Sequence, residues 1–312
     1  MNAHAVVVEQ PQTLRVRQVP LVDPTDNDLV VDICWSGIST GTEKLLWSGR
    51  MPAFPGMGYP LIPGYESVGR VAQAGSSTNY EIGEMVFVPG AACFGDVKGL
   101  FGGAASRVVI PALRALRVSE DLGERGTLLA LAATAYHAHA ACGSAGPELI
   151  IGHGVLGRMI ARLAVLAGGD PIVWEINPDR RSGAEGYQVI DPRDDQRANY
   201  RCICDVSGDP DVLDRLIARA APQGEIVLAG FYDQPMHFVF PPAFMREVRI
   251  RVAAQWKPPE LLAVRDLAES GRLSLDGLIT HRSGPDDAEA AYRTAFDDPS
   301  CLKMILDWRS AR

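Results

Sequence analysis

The pattern of apolar and polar positions changes character once along the chain. Up to about residue 110, apolar residues fall in short β-type runs, AVVVEQ, LVVDICWSG, SVGRVAQAG and EMVFVPG, broken by Gly, Pro and Asn. That spacing of turn signals predicts an all-β domain of barrel type. From about Leu128 the pattern becomes helical. LLALAATAYHAHAAC runs to Gly143, and Pro147 precedes a buried-looking strand, Leu149 to Ile151. Apolar strands and amphipathic helices then alternate through IARLAVLAG, PIVWEIN, CICDVSG, DVLDRLIARAA and GEIVLAGF, which predicts a doubly wound parallel sheet. After RIRVAAQW (249–256) comes a helix from Pro259 to about Ser270, and a β/α/β piece, LITHR, DDAEAAYRTAF and LKMILDW, closes the chain. The expectation is an α/β protein in which residues 1–126 and 272–312 form a β-barrel-like domain enclosing a nucleotide-binding type domain, 127–271.

Composition narrows the class. A chain of 312 residues has room for two domains with cores of their own. The net charge is −8 and the basic residues are dispersed, which argues against a nucleic-acid or anionic-membrane partner. MNAHAVVVEQPQTLRV lacks a basic region followed by a long apolar core, so it reads as a first strand and not a secretion signal. No uninterrupted apolar run reaches about 18 residues, so no integral membrane segment is expected. The six cysteines are scattered; Cys202 and Cys204 alternate on one strand face without a zinc-ligand spacing. Reduced thiols in a cytoplasmic protein are the expectation.

The strand ELII runs into Gly152-His153-Gly154-Val155-Leu156-Gly157 and then a helix beginning at Arg158, with an acid, Glu175, ending the next strand. A bare GxGxxG is weak, but strand, helix and acid together make a dinucleotide-binding fingerprint. Gly152 permits the tight turn, Gly154 admits the pyrophosphate to the backbone, and Gly157 allows close helix–strand packing. The helix N-terminus offers free amides to the phosphates. Glu175 would accept from the adenosine ribose hydroxyls and repel a 2′-phosphate, favouring NAD over NADP. Arg180 and Arg181 lie beyond it, either softening that preference or covering a surface. His153 is expected to face the pyrophosphate.

Read in order, these features resemble the medium-chain dehydrogenase/reductase superfamily over essentially the whole chain. Pro63-Gly64-Tyr65-Glu66-Ser67-Val68-Gly69 is similar to its Gly-His-Glu segment, with tyrosine for histidine. Ser36-Gly37-Ile38-Ser39 is similar to the stretch carrying the first cysteine ligand of zinc members, with serine in its place. Ala132-Ala133-Thr134-Ala135-Tyr136-His137 resembles the segment whose threonine touches the nicotinamide, and Ala130 stands where another cysteine would. The resemblance implies a GroES-like catalytic domain plus a Rossmann domain, with NAD and substrate in the cleft between. Cofactor contacts fall to the glycine loop, Glu175, Thr134, Arg180 and Ser207. Three ligand positions have changed and the four-cysteine lobe is reduced to Cys93, so no metal is expected.

The altered segment GISTGTEKLLWSGRMPAFPGMGYPLIPGYESVGRV further resembles a zinc-free branch that oxidises a 1-hydroxyethyl substituent on a bacteriochlorin. That implies a tetrapyrrole substrate in bacteriochlorophyll biosynthesis, a homodimer by family analogy, and a side chain that takes the hydroxyl proton. Tyr65 is the first candidate, provided a hydrogen-bonded or cationic neighbour lowers its pKa from roughly 10; the alternative is a space-filling ring. Ser39, Thr40 and Thr42 could relay the proton, and Glu66 could orient Tyr65 or Ser39. Glu43 and Lys44 read as solvated charges by default, although the resemblance puts Glu43 near a position that supports the zinc site of other members. Trp47 and Phe54 in one apolar loop, and Phe94 and Phe101 in another, suit a flat substrate or simple packing. Arg50 and Lys98 are candidates for its propionate. Two other readings fit the same residues: a zinc-independent quinone oxidoreductase or enoyl reductase, and a nucleotide-binding regulatory protein without catalysis.

Overall fold

The early apolar runs become strands because each buries a continuous apolar stretch or alternate residues. In the computed structural model, which describes residues 1–310, β1 (Asn2–Gln10) and β2 (Thr13–Pro20) form an antiparallel pair, with Ala5, Val6, Val7 and Val8 of β1 buried. β3 (Asp28–Ile38) leads into a short helix, α1 (Thr42–Ser48). Then follow β4 (Leu61–Ile62), β5 (Ser67–Ala74), β6 (Met85–Val88), β7 (Lys98–Gly99), β8 (Arg107–Pro111) and β9 (Leu116–Arg117). The long helix α2 (Leu129–Ala141) opens the α/β region: β10 (Leu149–Ile151), α3 (Val155–Leu166), β11 (Ile172–Trp174), β12 (Gln188–Ile190), β13 (Tyr200–Asp205), α4 (Leu213–Arg219), β14 (Ala220–Leu228), α5 (Phe240–Arg246), β15 (Arg249–Val252) and α6 (Pro258–Glu269). The chain ends with β16 (His281–Ser283), α7 (Ala288–Asp297) and β17 (Met304–Asp307).

Two compact units result: Met1–Ala130 with Asp276–Arg312, and Leu131–Leu275. In the first, one sheet runs β2-β1-β4-β7 and a larger one β16-β17-β3-β5-β6-β9, with β8 also paired to β3. β17 pairs antiparallel with β3, so the closing LKMILDW run is built into the N-terminal sheet. Val6, Ile33, Ile62, Phe94, Tyr292 and Trp308 belong to its core. In the second unit the strand order is β12-β11-β10-β13-β14-β15, all pairs parallel. That is the expected doubly wound sheet, with β10 and β13 at the switch point where ligands bind such folds. β12 and α5 left no clear periodicity; β12 is three residues long, and α5 opens on two prolines with Phe240, Phe244 and Met245 exposed.

Candidate active site

At the end of β3 the backbone N–H of Gly37 donates to the Glu66 carbonyl at 2.7 Å. A Cβ at Gly37 would collide with the Glu66 carboxylate, so only glycine lets β3 pass this acid. Glu66 has no exposed surface. Its Oε2 accepts from Lys303 Nζ at 2.6 Å, and the same ammonium donates to the Ile38 carbonyl at 3.1 Å. Among the described residues Glu66 Oε1 has no hydrogen-bond partner. The expected role for Glu66, orienting Tyr65 or Ser39, is corrected: its carboxylate pairs with a lysine from the chain's far end. Glu43 is also not the solvated charge expected. The first turn of α1 folds it inward, where Oε1 accepts from Ser39 N–H at 3.0 Å and Oε2 bonds the Tyr292 hydroxyl at 2.7 Å. Burial pushes the Glu43 pKa up to about 7 against those two hydrogen bonds. Lys44 donates to the Phe296 carbonyl at 2.7 Å.

Ser39 Oγ and the Tyr65 hydroxyl lie 2.7 Å apart, and Thr42 also hydrogen-bonds Tyr65. The sequence brings together the hydroxyls it singled out, but their surroundings differ from the expectation. The Tyr65 hydroxyl is buried beside two carboxylates, Glu66 and Glu43. Burial, then the Glu66 carboxylate, holds its pKa well above the ordinary phenol range, against the Ser39 and Thr42 hydrogen bonds. Tyr65 is therefore a neutral hydrogen-bonding hydroxyl here, not a tyrosinate base. Its ring meets Phe101 edge-on at 5.7 Å, and Phe101 is exposed. A divalent ion beside Ser39 and Tyr65 would meet two mutually bonded hydroxyls and, at Glu66, a carboxylate already held by an ammonium. Among the described residues no group of three or more His, Cys, Asp or Glu is arranged to hold a metal.

The two apolar loops run side by side because β4 and β7 pair, Leu61 with Lys98 and Ile62 with Gly99. Lys98 Nζ donates to the Met57 carbonyl at 3.3 Å, so this candidate anchor reaches across to the 51–60 loop. Phe54 and Phe101 are exposed. Phe94 instead belongs to the core, and Trp47 packs on Phe296 with ring centroids 5.6 Å apart, which makes both packing residues. Arg50, on the turn after α1, is exposed and donates to Ser48 Oγ at 3.2 Å.

In the second unit β10 delivers the chain to the glycine loop. Gly152 has φ +100°, a left-handed conformation that favours glycine. A Cβ at Gly157 would strike the Gly152 carbonyl, whereas one at Gly154 would meet only open space. α3 then starts at Val155, followed by Leu156. Each Glu175 oxygen accepts one backbone amide, Oε2 from His153 at 3.0 Å and Oε1 from Asn177 at 2.8 Å. A carboxylate accepts more than one hydrogen bond per oxygen, so capacity remains for ribose hydroxyls. Arg181 is committed to Asp191 and to the Glu175 and Ile176 carbonyls.

His153 departs from its expected place at the phosphates. Its side chain is buried; Nδ1 bonds the Arg180 carbonyl at 2.6 Å, and Nε2 bonds the Tyr187 hydroxyl at 2.8 Å. A carbonyl only accepts, so Nδ1 carries the proton and Nε2 accepts from Tyr187. Burial, aided by the nearby Arg158 cation, pushes the His153 pKa down to about 4. Arg158 itself donates to the carbonyls of His153, Arg180, Ser182 and Gly183, fastening that segment to the glycine loop. Ser207 lies beside Gly152, its Cα 3.4 Å from the position of a Cβ there, and Thr134 is half-buried on α2. His137 is paired with Glu260 at 2.9 Å, and His281 bonds Thr280 at the start of β16. Sequence reasoning missed Lys303, Tyr292, Arg158 and Tyr187. A lone lysine in the otherwise apolar LKMILDW run was the one available signal for the first.

Residues 25–120 match the alcohol dehydrogenase GroES-like domain. Over the full length of both chains this protein is 55% identical to the 2-desacetyl-2-hydroxyethyl bacteriochlorophyllide A dehydrogenase of Rhodobacter capsulatus. It is 54% identical to the enzyme of the same name from Cereibacter sphaeroides, over 99% of each chain. Among solved structures, a short chain alcohol dehydrogenase from E. coli CFT073 complexed with NADH superposes with a TM-score of 0.83 at 20% identity, covering 98% of this chain and 99% of that one.

Proposed function

The chain belongs to the medium-chain dehydrogenase/reductase superfamily, and we propose that it oxidises the 3-(1-hydroxyethyl) group of a bacteriochlorophyllide to the 3-acetyl group, with NAD as hydride acceptor and no metal. The observation that carries the substrate is the identity above one half, over the whole chain, with two relatives named for a hydroxyethyl bacteriochlorophyllide. The exposed rings of Phe54 and Phe101 support a flat apolar substrate, and Lys98 and Arg50 suit its propionate. Ser39, Tyr65 and Thr42 form the polar anchor for the substrate oxygen.

The bound nicotinamide supplies the hydride acceptor; the hydroxyl proton must leave through protein groups. Gly152, Gly154, Val155, Leu156 and Gly157 would hold the pyrophosphate on backbone amides and the α3 N-terminus, with Thr134 and Ser207 as further contacts. Glu175, pre-oriented by two amides, supports NAD over NADP, as does the engagement of Arg181 by Asp191. Arg180 gives its carbonyl to His153 and Arg158, and its side chain remains a candidate contact. The Lys303 ammonium on Glu66 supports a metal-free reaction, because it supplies the positive charge that a cation would otherwise bring.

No helix among the described residues is long and apolar enough to cross a membrane; cytoplasmic placement is part of the proposal. A homodimer is too: β15 is an edge strand with Val252, Phe244 and Met245 exposed on or near it. Light scattering at micromolar concentration reads the mass directly, and a monomer there contradicts that part. The test of the metal-free reading is turnover of hydroxyethyl bacteriochlorophyllide after exhaustive chelation, with elemental analysis of the same sample. Activity that falls with the chelator and returns with zinc overturns it.

A further inference from the structure

The buried end of the first unit holds more negative than positive charge. Glu43 and Glu66 are both at most 1% exposed, and among the described residues Lys303 is the one cation bonded to either. Lys303 is spent on Glu66, at 2.6 Å. Glu43, from α1, receives only the Ser39 amide and the Tyr292 hydroxyl, the latter from α7. The groups that face it are thus Glu66, Lys303, Tyr292 and the Ser39–Tyr65 pair. A carboxylate out of water without a cation is costly, and a proton is the cheapest neutraliser. Of the two carboxyls, Glu43, the one without a bonded cation, is therefore the one that takes up a proton the more readily.

Ser39 touches both sides of this arrangement. Its amide holds Glu43 and its Oγ holds the Tyr65 hydroxyl. We propose that Glu43 is the resting place of the proton lost in alcohol oxidation, reached through Tyr65 and Ser39. The substrate hydroxyl gives its proton to the Tyr65 oxygen, and the Tyr65 proton passes to Ser39 Oγ. A rotation of the Ser39 side chain, itself part of the proposal, carries its hydroxyl from Tyr65 to the Glu43 carboxylate that its own amide holds, and its proton passes there. Both hydroxyls end neutral, one proton has moved, and the two electrons have left with the hydride to the nicotinamide. Tyr65 then needs no phenolate, which its surroundings oppose. Glu43 acts through other residues and is a positioning residue, not one that touches substrate. Its pKa, raised to about 7, suits a group that must accept and release a proton near neutrality.

The inference rests on the dehydrogenase reading, so one readout is taken without substrate. Difference infrared spectroscopy between about pH 6 and pH 8 should show a protonated carboxylic acid in wild type that is missing in Glu43→Gln. The pH profile of kcat/KM for oxidation should fall about tenfold per pH unit below the Glu43 pKa in wild type. In Glu43→Gln that limb should vanish, with the rate at high pH lowered at least about tenfold. Tyr292→Phe keeps the acid but removes a hydrogen bond to its charged form, so the limb should move to higher pH. A limb that survives in Glu43→Gln, fails to move in Tyr292→Phe, or is absent from wild type overturns the relay. So does a missing infrared band, which leaves the dehydrogenase reading standing. No oxidation of any alcohol overturns both.

Discussion

Replacing Lys303 by methionine should be among the most damaging single changes in the first unit. The lysine side chain is 2% exposed and its two hydrogen bonds go to Glu66 Oε2 and the Ile38 carbonyl. Methionine fills much of the same space, so the loss is electrostatic. Glu66, already without a partner on Oε1, would be left as an uncompensated buried carboxylate beside Glu43. Removing one member of a buried ion pair costs about 3–5 kcal/mol. At about 2–4 °C per kcal/mol for a unit of this size, the melting temperature should drop by roughly 6–20 °C. Thermal unfolding of wild type, Lys303→Met, Glu66→Gln and the double variant reads the coupling. The double variant should be more stable than Lys303→Met, with an interaction energy of about 1–3 kcal/mol. A Lys303→Met protein that melts within about 2 °C of wild type, or strictly additive effects, would refute the charge argument.

Glu175→Ala should lose about 1.5–3 kcal/mol of NAD binding while admitting NADP; an unchanged ratio of the two cofactors' kcat/KM would remove Glu175 from the ribose. Tyr65→Phe should lower turnover by roughly 10²–10⁴-fold with the KM for NAD nearly constant; near-normal turnover would make the ring a space filler. His153 should stay neutral in the folded protein to about pH 4, against roughly 6.5 unfolded. Its depressed pKa gives about 3 kcal/mol of stability, complete above the unfolded value and lost as pH falls toward 4. Urea midpoints between about pH 7 and pH 4.5 should therefore fall more steeply in wild type than in His153→Gln, and parallel curves would contradict the assignment.

The fold was legible in the sequence because it rests on period and punctuation. The runs at 5–10, 29–37, 67–75 and 84–90 lie in strands of the first unit, and the alternation from 149 to 252 gave the parallel sheet. α5 escaped because its outward face carries Phe240, Phe244 and Met245, which inverts the usual pattern for a surface helix. Around the site, the hydroxyls of Ser39, Tyr65 and Thr42 were found as residues but not as an environment. Lys303 lies in the closing stretch, far in sequence from Glu66, and only the pairing of β17 with β3 brings it there. His153 was misplaced for a similar reason: Arg180 and Tyr187 fold back over the loop from beyond Glu175. Local spacing reports which chemistry is present; partners supplied by distant strands decide the charge each group carries.

The most direct test is to mix protein, NAD and hydroxyethyl bacteriochlorophyllide and follow NADH and the pigment's absorption band in the same cuvette. Both should change together, one NADH for each acetyl pigment formed, with small secondary alcohols competing poorly. Small alcohols oxidised well while the pigment band stays still would contradict the substrate assignment.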